Sequence, residues 1–374
     1  MSQWLNHVLE RASTVDDWLS PVRAQALDTL KQQQWPTRRT EAWRYTSLHP
    51  VADLQLQTGT GNNTAEAPFI EGLNSLDLVF VDGQLSTDIS KLQLPEGVTI
   101  SELSAPSEPA EALFAQVKPS HHLFGLVNDV LAQQGVVIDI AAGAKIKQPI
   151  RIVNFASAGI ESHQRTLVRV GANAQATIIE HGSGSGNSLN TAFAEYDIAE
   201  KANLEHYRFA LHEGESIHIG GSHFKLHDHA KMNSTLIGYG SQLTRLDVDI
   251  EHAGEHAFAK FNNVYLLAPR EHFDLHSTIE HASPNGTTEE NARGIIGDRA
   301  KAVFNGRIHI HRHAQKTLAE LNNRNLLLTR GAQINTKPEL EIYADDVQCA
   351  HGATVAEIDE EALYYILTRG INKQ

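Results

Sequence analysis

Hydrophobic and polar positions divide this chain into two regimes. Up to about residue 134 the apolar residues mostly recur at helical spacing. Trp4, Leu5, Val8 and Leu9 share one face of a first helix. Ser20 and Pro21 read as N-cap and first helical position, since proline lacks the N–H that would be orphaned there. The stripe Val22, Ala26, Leu27 and Leu30 follows. That helix should stop near Gln34, because Trp35 precedes Pro36 and residues before proline avoid the helical region. Leu76 to Val81 is a short apolar run closed by Asp82-Gly83, a strand and turn signal. Ser120 is placed as the cap of a further helix carrying Leu123, Leu126, Val127, Val130 and Leu131, ending at Gly135. Gly59 to Pro68 and Ala105 to Pro109 are polar, turn-rich connectors.

From Val136 the period changes. Short β-rich runs (VVIDI, IRIVNF, ATIIEH, RLDVDIEH, AVFNGRIHIHRH) follow one another, with no useful helical stretch between them. A small residue recurs before several runs: Ala144, Ala174, Ala202 and Ala230, at intervals of 30, 28 and 28 residues. Such a period marks stacked repeats, and it suits a solenoid coil of two or three short strands. A β-sandwich of hairpins should instead show Asn-Gly or Asp-Gly turns. Those are scarce, and Asn285-Gly286 lies in a longer polar loop. The pattern therefore predicts a mainly β protein, a right-handed parallel β-helix behind an N-terminal helical region. Near the end, Asp359 reads as an N-cap, with Glu360 and Glu361 in the first turn and Gly370 at C′. The expected units are 1–134, mainly helical; 135–345, the β-helix; and 346–374, a C-terminal segment with one helix over 360–369.

Composition narrows the function. At 374 residues the chain exceeds one ordinary compact core unless it is a solenoid. A net charge of −14 argues against nucleic-acid binding. The same balance makes Arg38, Arg39 and Arg44, with Trp43 and Tyr45, a structural or partner-contact cluster rather than a nucleic-acid patch. One cysteine excludes an intramolecular disulfide and fits a reducing compartment. No basic-then-apolar leader and no run of about 18 apolar residues is evident, so a cytoplasmic protein off the membrane is expected. The glycine-rich GSGSGNS at 182–188 lacks the GK[ST] ending of a phosphate loop and reads as a solenoid turn. No nucleotide-binding motif appears.

Candidate chemistry concentrates near the end. Cys349 and His351 combine a soft and a borderline ligand, suited to iron, beside Asp345 and Asp346. They are followed by a Gly-Ala-Thr-Val turn, 352–355. If the segment is extended, Cys349 and His351 share a face. The bland reading of the thiol is a small packed hydrophobe, and the two aspartates equally suit a turn. His309, His311 and His313 would share the outer face of a strand whose other face carries Ile308 and Ile310. They are weaker metal candidates. Asp247 and Asp249 alternate in the same way, in placement only like the carboxylates of a polysaccharide-cleaving β-helix. A Cys349–His351 hydrolase is a third reading, made awkward by a Cα separation near 7 Å along a strand.

Four blocks carry a resemblance: LTRGA (328–332), KPELEIYADDV (337–347), CAHGATV (349–355) and LYYILTRGI (363–371). With RRTEAWRYTSL (38–48), they resemble the SufD family, β-solenoid subunits of the Suf iron–sulfur cluster assembly machinery. The resemblance implies a non-enzymatic scaffold that pairs with SufB, works with the SufC ATPase and binds no nucleotide itself. It also implies a transient cluster at the SufB–SufD junction. His351 would be this subunit's ligand, Cys349 a second ligand or a packed neighbour, and SufB the source of a thiolate. Clusters usually need about four ligands, which one cysteine cannot supply. Leu363, Tyr364, Ile366, Leu367 and Arg369 form the expected partner-binding helix face. The family pattern departs at Ala350 and Ala356, where Ser and Gly are expected. The family also normally continues into a helical domain that docks SufC, whereas this sequence stops four residues after Gly370. Whether a homodimer forms in isolation is left open.

Overall fold

A computed structural model of the chain describes residues 2–59 and 65–372. Residues 60–64 of the expected 59–68 connector lie outside the described residues. The helices are α1 (Gln3–Ala12), α2 (Ser20–Gln32), α3 (His49–Ala52), α4 (Glu108–Leu113), α5 (Leu123–Leu131) and α6 (Glu360–Thr368). Short strands β1 (Gln57–Thr58), β2 (Leu76–Val81), β3 (Gln84–Leu85) and β4 (Val98–Glu102) precede the regular coils. These begin with β5 (Gln134–Ile140), β6 (Ile150–Ala156), β7 (Ile160–Val170), β8 (Gln175–Gly184), β9 (Leu189–Ile198) and β10 (Asn203–His212). They continue with β11 (Ile217–Leu226), β12 (Lys231–Tyr239), β13 (Leu243–His252), β14 (Phe258–Leu267) and β15 (His272–His281). The last are β16 (Thr287–Ile296), β17 (Lys301–Ile310), β18 (Leu318–Leu327), β19 (Gln333–Ile342) and β20 (Gln348–Glu357).

From β5 onward the chain alternates between two sheets. One takes the odd strands, β5 to β19, and the other the even strands, β6 to β20, every pair between neighbouring coils being parallel. The expected parallel β-solenoid is what forms. Even strands from β8 onward start 27 to 31 residues apart. From β8 onward each coil holds two strands of nine or ten residues, longer than short-strand repeats would give. The alanine period has a geometric origin. Ala174, Ala202, Ala230 and Ala257 sit fully buried at successive corners. Each follows a residue in the left-handed region: Asn173, Lys201, His229 and His256, at φ 57 to 60°. A side chain larger than a methyl would overfill such a corner. The glycine-rich 182–188 stretch ends β8 and turns into β9, with Gly186 at φ +77°.

Alternation along β10 turns Leu204, His206, Arg208, Ala210 and His212 inward, so the core between the sheets is partly polar. Glu180 there accepts hydrogen bonds from His206 Nε2 (3.0 Å), Arg208 Nη1 (3.1 Å), Ser222 Oγ (2.8 Å) and Tyr196 Oη (2.9 Å). Burial opposes its ionisation, but Arg208 and His206 outweigh that and hold its carboxyl at about 2.

The N-terminal region covers the outer face of the odd sheet. Trp4 stacks on Phe124 at 5.5 Å, and Trp35 and Trp43 flank the same ring. Trp43 is buried under the Arg245 guanidinium, 4.1 Å from its ring centre, while Arg38, Arg39 and Arg44 stay exposed. The RRTEAW motif therefore fastens this region to the solenoid. Two cap readings are corrected. Ser20 is the first helical residue; Leu19 holds the cap position, and Ser20 Oγ accepts from the Asp17 N–H. α5 starts at Leu123 after His122, not at a Ser120 cap. The preceding segment is drawn onto Glu195, whose carboxylate accepts the N–H groups of Ala115, Val117 and Lys118 at 2.7–2.9 Å. Gly135 belongs to β5, because pairing with β7 claims it.

Beneath α5 lies a fully buried ion cluster. Arg165 Nη2 meets Asp129 Oδ1 at 2.5 Å and Glu195 Oε1 at 3.0 Å, and Lys118 Nζ meets Asp129 Oδ2 at 2.9 Å. Removing one partner strands buried charge. Arg165→Ala is expected to cost about 3–5 kcal/mol, read as a lower urea midpoint at unchanged slope. An unchanged midpoint would show that the cluster does not hold this layer in place.

Candidate ligand site at the open end of the solenoid

β20 lies beside β18 in ten-residue register, with Cys349 opposite Ala319 and His351 opposite Leu321. The solenoid thus runs past the boundary expected at 345. The Gly-Ala-Thr-Val stretch is strand rather than turn, because β18 offers it a full template. β20 ends the even sheet and β19 the odd one. Among the described residues nothing pairs with their far edges. Cys349, His351, Ala353 and Val355 have the parity of Ala319, Leu321, Asn323 and Asn325, which are buried in the core. They therefore face the solenoid interior at its uncovered mouth, where almost all of β20 is exposed.

Cys349 is half-buried and packs against the core. Burial pushes its thiol up, opposed by a hydrogen bond from the Ala319 backbone. A raised thiol resists thiolate formation, which counts against the hydrolase reading. His351 is exposed, and among the described residues no hydrogen bond or ion pair engages it. One row inward across the even sheet runs Glu290, Leu321, His351. Glu290 and His351 line one depression together with Asn322 and Gly352, two strand spacings or about 10 Å apart. Glu290 is buried and pushed up to about 7 by that burial. Its Oε1 accepts from Ser277 Oγ at 2.6 Å, and its Oε2 has no partner among the described residues. Sequence reading missed Glu290. The available signal was its parity with Thr288, Ala292 and Ile296 in Thr287–Ile296, which places a carboxyl on the core side.

The other expected residues fall elsewhere. Asp345 and Asp346 occupy the corner between β19 and β20, where Gln315 Nε2 donates to Asp345 Oδ1 (2.8 Å) and Gln315 Oε1 accepts from the Asp346 N–H (2.9 Å). Ile308 and Ile310 are buried and His309 lies on the outer face, as alternation requires. The strand stops at Ile310, however, so His311 and His313 lie in the following turn, not in one strand face. His311 joins His309 on Glu280, and His313 does not. Asp247 and Asp249 face outward from the solenoid but are covered by the N-terminal region. Arg245 holds Asp247 at 2.8 Å, and His122 Nε2 holds Asp249 at 2.8 Å. That is no exposed carboxylate pair for a polysaccharide. α6 is capped by the Asp359 carboxylate, which accepts the N–H groups of Glu361 and Ala362, and Gly370 takes φ +83° just after it. Tyr364, Ile366 and Leu367 are exposed on it, Leu363 is half-buried, and Arg369 lies over the Tyr365 ring at 5.0 Å.

The fold and site define a β-solenoid whose last coil, which carries Cys349 and His351, is uncovered among the described residues. A model of the SufBD protein N-terminal region matches residues 6–152, and one of the SUF system FeS cluster assembly SufBD core domain matches residues 153–374. The chain belongs to this SufBD family of iron–sulfur cluster assembly proteins. It is 30% identical to the iron–sulfur cluster assembly protein SufD of Escherichia coli, over all of this chain and 88% of that protein. It is 29% identical to a SufBD family protein of Synechocystis, over 96% of this chain and 84% of the relative. It is also 22% identical to SufB of Bacillus subtilis, over 75% of this chain and 62% of SufB. No helix among the described residues is long and apolar enough to cross a membrane.

Proposed function

We propose that this chain is a SufD-like, non-enzymatic scaffold subunit that pairs with SufB through the open end of its solenoid and works with the SufC ATPase. A nascent iron–sulfur cluster then forms at the junction, with iron and sulfide as cargo. This subunit contributes His351, with Cys349 as a packed neighbour or second ligand, and SufB contributes thiolate. The observation that carries this reading is His351, unengaged among the described residues, on the inner side of a terminal strand whose far edge nothing among them pairs with. Two donors cannot complete a cluster that needs about four, so the site calls for a second chain. An open, largely exposed edge strand also invites pairing with added strands. The exposed apolar residues of α6 support a further partner contact there, through Leu363, Tyr364, Ile366, Leu367 and Arg369. Without SufB, the same edge suits a second copy of this chain. The chain takes no nucleotide itself and works in the cytoplasm.

Backbone direction supplies the test. The Gln348 N–H donates to Thr317 O at 2.9 Å, so by alternation the N–H groups of Cys349, His351, Ala353 and Val355 point to the free edge. Ala353→Pro removes one free-edge donor and spares the pairing with β18. It is expected to lower recovery of SufB in co-purification by more than about tenfold, one lost 1.4 kcal/mol, with thermal stability nearly unchanged. Full recovery of SufB would remove edge pairing from the account.

A further inference from the structure

On the outer face of the odd sheet, three side chains converge away from the open end's inner face. Glu280 of β15 stands opposite His309 of the adjacent β17, and His311 follows one residue past the strand end. His309 Nδ1 lies 2.7 Å and His311 Nε2 lies 2.9 Å from the same oxygen, Glu280 Oε2. The three ligand atoms all lie within 4.8 Å of one another. The two imidazoles stack at 4.3 Å, and Tyr343 packs edge-on against His309 at 5.3 Å, fixing its ring. The nearest guanidinium is engaged elsewhere. Arg307 donates to both oxygens of Glu341 at 3.0 and 2.9 Å and reaches Glu280 only at Oε1, 3.4 Å away. Glu280 Oε2 is thus left to the two histidines. The His311 side chain is 46% exposed and that of Glu280 30%, so an ion reaches them from solvent.

We propose that Glu280, His309 and His311 bind a divalent first-row transition-metal ion. Two imidazole nitrogens and one carboxylate oxygen suit Fe(II), Zn(II) or Co(II), whereas Mg(II) and Ca(II) prefer all-oxygen sets. Such a set leaves coordination positions open, as a site that takes up and releases an ion requires. Ligand atoms about 2.0–2.2 Å from a common ion stand a little over 3 Å apart. The observed separations of 2.7 and 2.9 Å need only a small widening. Glu280 and His309 are fixed on paired strands, and His311, in a turn, supplies the adjustment. The site stands on these three residues and not on the role proposed for His351.

The test is an anaerobic titration of the full chain with Co(II), followed by its d–d absorbance and reversed by Zn(II). One saturable equivalent is expected. Because His311 and Glu280 are surface groups, His311→Ala and Glu280→Gln should keep the thermal unfolding profile yet weaken Co(II) binding by more than about tenfold. His351→Ala should leave the titration unchanged. The site is overturned if the chain shows no saturable Co(II) binding, or if both variants titrate like the parent. Loss of binding in His351→Ala alone would assign the ion to the open end instead. SufB co-purification, scored separately, reports on the scaffold reading whichever way this titration falls.

Discussion

Acidification from pH 6.5 to about 4 is expected to unfold this solenoid, and the cause is imidazole buried without charge. His252 and His281 stack at 4.1 Å inside the coils, both Nε2 atoms on Thr288 Oγ1, with neither Nδ1 partnered among the described residues. His212 and His218 stack at 4.0 Å beside Arg208. Burial holds all four down. His212 falls to about 3, with Arg208 adding repulsion, His252 falls to about 4, and His218 and His281 lie well below 6.5. In the unfolded chain each takes a proton near 6.5. Below that pH the unfolded state binds protons that the folded state refuses, so stability is present above 6.5 and lost as pH falls toward 4 and 3. Each group contributes up to about 1.4 kcal/mol per pH unit.

Glu290 opposes this, since its carboxyl sits at about 7 when folded against 4.5 when free. It is one group against four. His122, raised by Asp249 and Asp247 over the burial that lowers it, adds stability as pH falls through about 6.5 and adds no slope once the unfolded chain is protonated too. Urea midpoints measured from pH 7.5 to 4.5 should fall steeply below 6.5, and His252→Gln should flatten the curve by one group. A flat midpoint across this range would show that water or relaxation accommodates the charges.

Much of the architecture was legible in the chain. Strict alternation and the corner alanines point to a solenoid because both arise from the coil itself: one face must be buried, and one corner has room only for a methyl. The polarity of the interior was not legible. Glu180, Arg208 and His212 share parity with apolar neighbours, and only stacking of coils shows that Glu180 and Arg208 meet. The caps expected at Ser20 and Ser120 failed for a different reason. Local capping chemistry is worth about 1 kcal/mol; before Ser120 the long-range bonds of Ala115, Val117 and Lys118 to Glu195 outweighed it, and at Ser20 the hydroxyl accepts the Asp17 N–H while Leu19 takes the cap position. The last strand was cut short because Ala350, Gly352 and Ala353 have weak strand preference, whereas β18 imposes the register. Cys349 and His351 stood out by residue type and by resemblance. Glu290 did not, since it lies about sixty positions upstream and reaches their row only through two successive coil pairings.

The second large effect expected is the loss of the cluster on replacing His351. The side chain is exposed and unengaged among the described residues, and pairing of β20 with β18 is made by backbone. His351→Ala therefore removes the proposed ligand without disturbing the fold or the free edge. Losing one of about four ligands in a shared site should leave the remaining donors unable to retain a nascent cluster. Cys349→Ala should matter less if the thiol serves as packing, since it is half-buried against the core. The decisive measurement is iron and acid-labile sulfide in complexes co-purified anaerobically with SufB and SufC, comparing the parent chain with His351→Ala. The account predicts that both complexes assemble and that iron and sulfide fall by more than about tenfold in the variant alone. Equal iron and sulfide in the two assembled complexes would contradict it, and would leave this subunit as architecture only.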